Sequence, residues 1–230
     1  MTIQSQKIRI VVAVISLLLP WMLRRIFLQL TLGYQLHPSS KIGLSLVMPR
    51  MLVMKANSKI GNFNVCKSLD TLMLENSASI GRFNLITGYS TSTVGSRSFT
   101  HEPDRESVLL VKRHAAISNR HLIDCTNKVT LGQYSILAGY SSQLFTHSVN
   151  LKESVQASHS IEIGDYCFVG SCSVILPGSK LPDYSVLGAK GLLSKKYLQT
   201  YYLYAGVPAR PIKPLPEDLG YFNRRSGYIY

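Results

Sequence analysis

Aliphatic residues recur along this chain with a period that belongs to neither an ordinary helix nor an ordinary strand. Ile163, Val169, Ile175, Leu181, Leu187 and Leu193 stand six apart. A helical face recurs near every 3.6 residues and a strand face every second residue, so a strict six marks one short strand plus one corner per repeat. Two positions before each aliphatic stand Ile161, Cys167, Ser173, Ser179, Ser185 and Gly191, mostly small, as a crowded corner requires. Each aliphatic is followed by Gly164, Gly170, Leu176, Pro182, Gly188 or Ser194. Gly and Pro at that place favour bends.

The same grid runs back toward the N-terminus through Ile42, Met48, Met54, Ile60, Cys66 and Leu72, then, after a slip, Ile80 and Ile86. Val111, Ile117 and Ile123 keep the spacing, as do Leu131 and Leu137 after another slip. Aliphatic-Gly pairs punctuate it at Ile42-Gly43, Ile60-Gly61, Ile80-Gly81, Val94-Gly95, Leu131-Gly132, Ile163-Gly164 and Val169-Gly170. Three hexapeptides close one triangular coil, and each coil lays its aliphatic side chains on the next. The pattern predicts an all-β parallel β-helix over residues 40–196, preceded by a segment 1–39 and followed by an extension 197–230. Polar stretches at 96–107 and 148–160 break the grid and should loop out of the prism, where functional groups concentrate.

The first segment carries a different pattern. Residues 10–23 are uncharged, but they number fourteen and include Pro20, short of the roughly 20 that a spanning helix needs. Lys7 and Arg9 precede the run, yet Pro20, Trp21 and Met22 stand where a signal peptide would carry small residues, so cleavage is not expected. Arg24 and Arg25 open a second apolar stretch, 26–36. The expectation is a helical anchor that dips into a membrane surface through residues 10–36, with Trp21 at an interfacial kink. The alternative is a helix that caps the next domain.

Composition narrows the classes further. Of 230 residues 46% are hydrophobic and 16% charged, which excludes a disordered chain. Lys and Arg outnumber Asp and Glu by 25 to 12. The nine bases Lys7, Arg9, Arg24, Arg25, Lys41, Arg50, Lys55, Lys59 and Lys67 all precede the first acid, Asp70, and this asymmetry points to an anionic surface or ligand. Cys66, Cys125, Cys167 and Cys172 show neither CxxC nor zinc-finger spacing and are expected to be free thiols in a reducing cytoplasm. The tyrosines of 197–204 have no interleaved bases. Packing, not nucleic-acid stacking, is their expected role.

The stretch 146–213 then reads Thr146-His147, a loop, Ile161-Glu162-Ile163-Gly164-Asp165, Val169-Gly170-Ser171, Pro177-Gly178, Val186-Leu187-Gly188-Ala189, Ser194-Lys195 and Ala205-Gly206-Val207-Pro208-Ala209-Arg210. In this order and spacing the chain resembles the hexapeptide-repeat acyltransferases, in particular sugar O-acetyltransferases of the galactoside and maltose type. Phe168 departs from a frequent Trp, and Leu181-Pro182 from the usual Ile-Gly. The resemblance implies a left-handed β-helix, an exception to right-handed crossovers. It implies acetyl-CoA as co-substrate without a metal, a sugar or polysaccharide hydroxyl as acceptor, and a homotrimer with its site between neighbouring prisms.

By that resemblance His147 is the general base, a role that suits imidazole because it titrates near neutrality. Its partner is left open by the sequence, with Glu162 and Asp165 as candidates. His121, in Ser118-Asn119-Arg120-His121, is a second candidate for the same cleft, followed by Asn119 and Asp124. Phe99-Thr100-His101 repeats the Phe-Thr-His motif beside the other loop and is read as a duplicated corner, with an acceptor contact as the alternative. Ser171, Gly188, Ala189, Ser194 and Lys195 fall where the resembling enzymes line the pantetheine arm, and Arg210 and Lys213 fall near the phosphates. With the anchor, this implies an enzyme at the cytoplasmic face of a membrane acting on a surface polysaccharide or its lipid-linked precursor. A γ-type carbonic anhydrase is the metalloenzyme alternative, but its close His pair, five apart, is missing, since His114 and His121 differ by seven and His147 and His159 by twelve. A non-catalytic scaffold is the third reading.

Overall fold

The computed structural model describes residues 6–93, 98–227 and 229. The Val94-Gly95 pair and Ser96, where the first loop is expected to begin, lie outside them. Val169, Ile175, Leu181, Leu187 and Leu193 are wholly buried and Ile163 is nearly so. They sit on three sheets of seven, nine and seven strands, parallel except for the last strand of the nine, and the parallel neighbours come from successive coils. In the sixth coil, for instance, Ile161–Ile163, Phe168–Val169 and Val174–Ile175 form the three sides. The result is the parallel β-helix that the hexapeptide period predicts, left-handed as the family resemblance implies. Corner I leads from the first sheet to the second, corner II from the second to the third, and corner III back to the first.

Two departures from the strict six have local causes. Met48 is only half buried, and its neighbour Val47 points into the core instead, so the first coil has a five-residue step from Ile42. In the fifth coil Leu137 is followed inward by Leu144, seven residues on. The extra residue is a bulge opposite Ile117 and Asn119. There Gly139 takes a φ of 65°, and a Cβ on it would sit 1.8 Å from Ser171 Oγ.

The described glycines that follow the aliphatics stand at the corners without left-handed backbone. Gly132 lacks a positive φ, and its role is close approach, since a Cβ there would lie 2.2 Å from the Gly164 carbonyl oxygen of the next coil. The left-handed backbone at corner I is taken by side-chain-bearing residues, among them His114, Tyr134, Tyr166, Tyr184 and Tyr201. Such residues disfavour that conformation. Here their rings stack one on the next along the prism, with centroids 4.9, 4.7, 5.2 and 4.7 Å apart, and each close aromatic pair contributes about 1 kcal/mol.

Two helices, α1 (Gln6–Ser16) and α2 (Trp21–Leu32), precede the first coil. Leu28, Leu32 and Ala13 are buried against its open end, and Trp21 donates from Nε1 to the Ser40 carbonyl at 2.9 Å. Trp21 thus faces the prism, not an interfacial kink. Arg24, 4% exposed, reaches the carbonyls of Gly43 at 2.7 Å and Ser45 at 2.8 Å. Arg9 does the same for Pro49 at 2.7 Å and Arg50 at 2.9 Å. An unpaired carbonyl in a buried place costs about 1 to 3 kcal/mol, so these two members of the basic run are used in capping the fold. The outer side remains apolar and exposed, with Leu18 of the connecting turn at 85% and Leu30 and Met22 of α2 at 75% and 73%. Among the described residues no helix is long and apolar enough to cross a membrane.

At the other end Tyr202–Gly206 extends the second sheet and pairs antiparallel with Ala209–Pro214. The tail then returns along the prism: Tyr221 donates to the Cys167 carbonyl at 2.8 Å, and Phe222 packs edge-on against Tyr184 and Tyr201. The four cysteines are free; Cys66, Cys125 and Cys167 are buried and Cys172 half-buried.

Candidate active site

Both long excursions leave the prism at corner III. The first spans residues 88–107 and the second 145–160, each between a strand of the third sheet and one of the first. The second is a hairpin in which His147–Asn150 pairs antiparallel with Val155–Ser158. His147 therefore stands at its neck, and the His159 N–H, donating to the Thr146 carbonyl at 2.8 Å, closes that neck.

The register of the third sheet sets Ile123 beside Leu144, so the residues just beyond them, Asp124 and 145–147, share one corner. The Asp124 carboxylate lies 2.8 Å from His147 Nδ1. Thr146 donates to the same oxygen from its N–H at 2.9 Å and its hydroxyl at 2.7 Å. Thr126 donates to the other oxygen from its N–H at 3.1 Å and its hydroxyl at 2.6 Å. Burial pushes the Asp124 pKa up, but these bonds from His147, Thr126 and Thr146 outweigh it and hold the group well below the usual carboxylate range. An ionised carboxylate only accepts, so the imidazole proton sits on Nδ1 and Nε2 keeps its lone pair. The bond to Asp124 raises the His147 pKa, with partial burial opposing. The His147 side chain remains 44% exposed.

The first excursion folds over this corner. The ring of Phe99 meets the His147 ring edge-on at 6.4 Å. Arg105 lies over Phe99 at 4.7 Å and donates to the carbonyls of Tyr89 and Thr126. Glu102 accepts from the Ser158 N–H at 2.7 Å and also from its hydroxyl. The hydroxyl of Ser158 in turn takes a bond from Asn127 Nδ2 at 2.9 Å. The second Phe-Thr-His is thus no bare duplicated corner: Phe99 packs against His147, and His101 Nε2 stands 3.8 Å from Glu102.

Several predicted residues fall elsewhere. His121 is 2% exposed at corner II, the opposite end of the strand that carries Asp124, and its Nδ1 accepts the Ser142 N–H at 3.1 Å. It belongs to an internal ladder in which the side chains of Ser45, Asn64, Asn84, His121 and Ser142 each accept the next coil's N–H. Burial lowers its pKa to about 4, so it is neutral and structural. Asn119 accepts the Arg82 N–H at 2.8 Å. Glu162 pairs with Lys180 at 3.1 Å, and Asp165 accepts from Gln133 at 2.8 Å and 3.0 Å. Neither reaches His147, and Asp124 takes the place expected of them.

The residues expected to line a pantetheine arm divide between two corners. Ser194 and Lys195 lie exposed at corner III, Ser194 in register two coils beyond Phe145, a separation of about 10 Å at the usual strand spacing. Ser171, Gly188 and Ala189 lie at corner II, where the would-be Cβ of Gly170 approaches the Ala189 nitrogen at 2.5 Å. Arg210 and Lys213 are exposed on the C-terminal hairpin, paired with Ala205 and Leu203. One chain therefore does not bring the corner II group beside His147. Among the described residues no three His, Cys, Asp or Glu side chains converge as metal ligands.

Solved structures share this architecture. The polysialic acid O-acetyltransferase OatWY matches with a TM-score of 0.59 at 16% identity, over 79% of this chain and 84% of that one. A hexapeptide-repeat acetyltransferase from Vibrio cholerae gives 0.46 at 16% identity over 91% and 92%. A maltose O-acetyltransferase from Clostridium difficile 630 gives 0.43 at 12% over 92% and 87%. The likeness to OatWY establishes the hexapeptide-repeat left-handed β-helix as the fold of this chain. No protein family's sequence profile matches the chain, and no curated protein does.

Proposed function

We propose that this protein is an acetyl-CoA-dependent O-acetyltransferase that acylates a sugar hydroxyl of a surface polysaccharide or its lipid-linked precursor. The observation that carries this reading is the Asp124–His147 pair at the neck of an excursion from a hexapeptide prism, with Nδ1 held by the carboxylate and the ring open to solvent. His147 Nε2 takes the proton of the acceptor hydroxyl as its oxygen attacks the thioester carbonyl. As the tetrahedral adduct collapses the C–S bond breaks, and the imidazolium returns the proton to the departing thiolate. Asp124 does not touch the substrate; it positions the ring and favours the imidazolium that forms.

Ser194 and Lys195 are suited to contacts with the pantetheine arm from the same corner, and Ser171, Gly188 and Ala189 from a neighbouring copy's corner II, with Arg210 and Lys213 on that copy's C-terminal hairpin suited to the phosphates. A threefold ring satisfies this, since each prism then faces corner III to its neighbour's corner II. Sedimentation equilibrium should give three times the chain mass, and a monomer that binds acetyl-CoA at full affinity would remove this part of the reading. The outer apolar faces of α1 and α2 support docking on the cytoplasmic face of a membrane, where acetyl-CoA is supplied. Leu18→Asp with Leu30→Asp should abolish co-flotation with anionic vesicles, each buried charge costing about 2 kcal/mol or more; unaltered flotation would refute the anchor.

The deciding experiment is incubation with labelled acetyl-CoA and a panel of lipid-linked, nucleotide and polymeric sugars, followed by mass spectrometry of the acceptors. A scaffold would neither bind acetyl-CoA nor label any of them.

A further inference from the structure

Corner III carries a second feature on the N-terminal side of His147. Between α1 and the excursion 88–107 the first three coils form a cleft of about 1280 Å³, reaching from Arg9 and Met48 past Lys67 and Asp70 to Arg105. Its charges are unequal. Arg50 and Lys67 open onto it beside two acids, Asp70 and Glu106, while Arg9 and Arg105 line it with guanidiniums already given to backbone carbonyls. Glu106 is drawn off by Lys128 at 2.8 Å, and Asp70 is occupied by Ser90, by Thr91 and, at 3.9 Å, by Arg50. Arg50 is 56% exposed, and Lys67, also exposed, has no ion-pair partner among the described residues.

Arg50 and Lys67 lie at this corner on the first two coils, one leaving Met48 and the other paired in register with it. The cleft floor therefore presents cationic side chains about 5 Å apart in rise. Arg105 links this cleft to the catalytic corner: it lines the cleft, while its guanidinium donates to Thr126, which itself holds Asp124. From the third coil to the fifth, which carries His147, is a further rise of about 10 Å.

Resting on the transferase reading, we propose that this cleft is the distal part of the acceptor site and takes a negatively charged glycan. The chain runs along corner III with the acetylated hydroxyl at His147, and its carboxylates or phosphates lie against Arg50 and Lys67. A neutral chain would leave this uneven set of charges unmatched. An anionic one gains attraction that is screened by salt.

The test is calorimetric binding to the full chain at low salt, independent of turnover. The probes are hexamers of galacturonic acid and of α2,8-linked sialic acid, uridine diphosphate glucose, and neutral maltohexaose. At least one anionic probe should bind while maltohexaose does not. Binding should weaken about tenfold in the Arg50→Glu, Lys67→Glu double variant, with acetyl-CoA affinity and melting temperature unchanged. A carboxylated hexamer bound better than the nucleotide sugar identifies the charge as carboxylate, and the reverse order as phosphate. Equal binding of maltohexaose, binding of no anionic probe, or an unmoved affinity in the double variant overturns the proposal. Binding without acetyl transfer to any acceptor would instead sink the transferase reading and leave the anion-binding cleft standing.

Discussion

His147→Ala will lower acetyl transfer by about 10²- to 10⁴-fold, the usual contribution of a general base, with acetyl-CoA binding retained. The pH profile separates the base from its positioning partner. Because the bond to Asp124 raises the His147 pKa, the neutral base is lost as pH falls, and kcat/KM should rise with pH through a midpoint above the ordinary histidine value of about 6.5. Asp124→Asn removes the carboxylate that stabilises the imidazolium, so the midpoint moves to lower pH while kcat drops, because the ring tautomer is no longer fixed. A merely structural Asp124 would change stability and leave the midpoint in place. Wild-type turnover by the His147→Ala protein would end the assignment.

The largest stability effect is expected at a glycine. Gly132→Ala adds one Cβ that would stand 2.2 Å from the Gly164 carbonyl oxygen and 2.3 Å from its carbon. These are backbone atoms of the next coil, so no rotamer change relieves the contact and the two coils must part locally. A cost of about 3 kcal/mol, at the upper end of over-packing, corresponds to a fall in melting temperature of roughly 6 to 12 °C for a chain of this size. Gly220→Ala is the control, because nothing lies within 4 Å of its added Cβ. Thermal unfolding followed by circular dichroism reads both. A Gly132→Ala protein as stable as the control would mean that coil-to-coil contact is not what these positions require.

The positions of the repeat were legible in the sequence because an inward side chain in a stacked coil meets its counterparts above and below. That demand returns once per side and leaves an aliphatic at each sixth residue. It was misread where a coil gained or lost a residue, at Val47 and again between Leu137 and Leu144. The second slip bears on the site: a strict six from Leu137 sets Gln143 inward and hides the pairing of Ile123 with Leu144 that brings Asp124 to His147. A signal was present in the two Thr-containing segments, Asp124-Cys125-Thr126 and Phe145-Thr146-His147, one coil apart. Only the register ties them together. Glu162 and Asp165 looked plausible because they belong to a motif, yet their carboxylates turn toward Lys180 on the first sheet and Gln133 at corner I.

The sequence by itself determined the prism, the two excursions and the apolar N-terminal segment, since each is written in local spacing and hydropathy, and the resemblance pointed to the imidazole after Thr146. Tertiary structure alone decided which carboxylate holds that imidazole, that His121 is a buried rung of a corner ladder, that Arg9 and Arg24 turn inward to cap carbonyls, and that the presumed coenzyme residues occupy two separate corners. Those outcomes depend on how many residues each coil spends at its bends. A single added residue there rotates everything after it, and no local rule fixes that count.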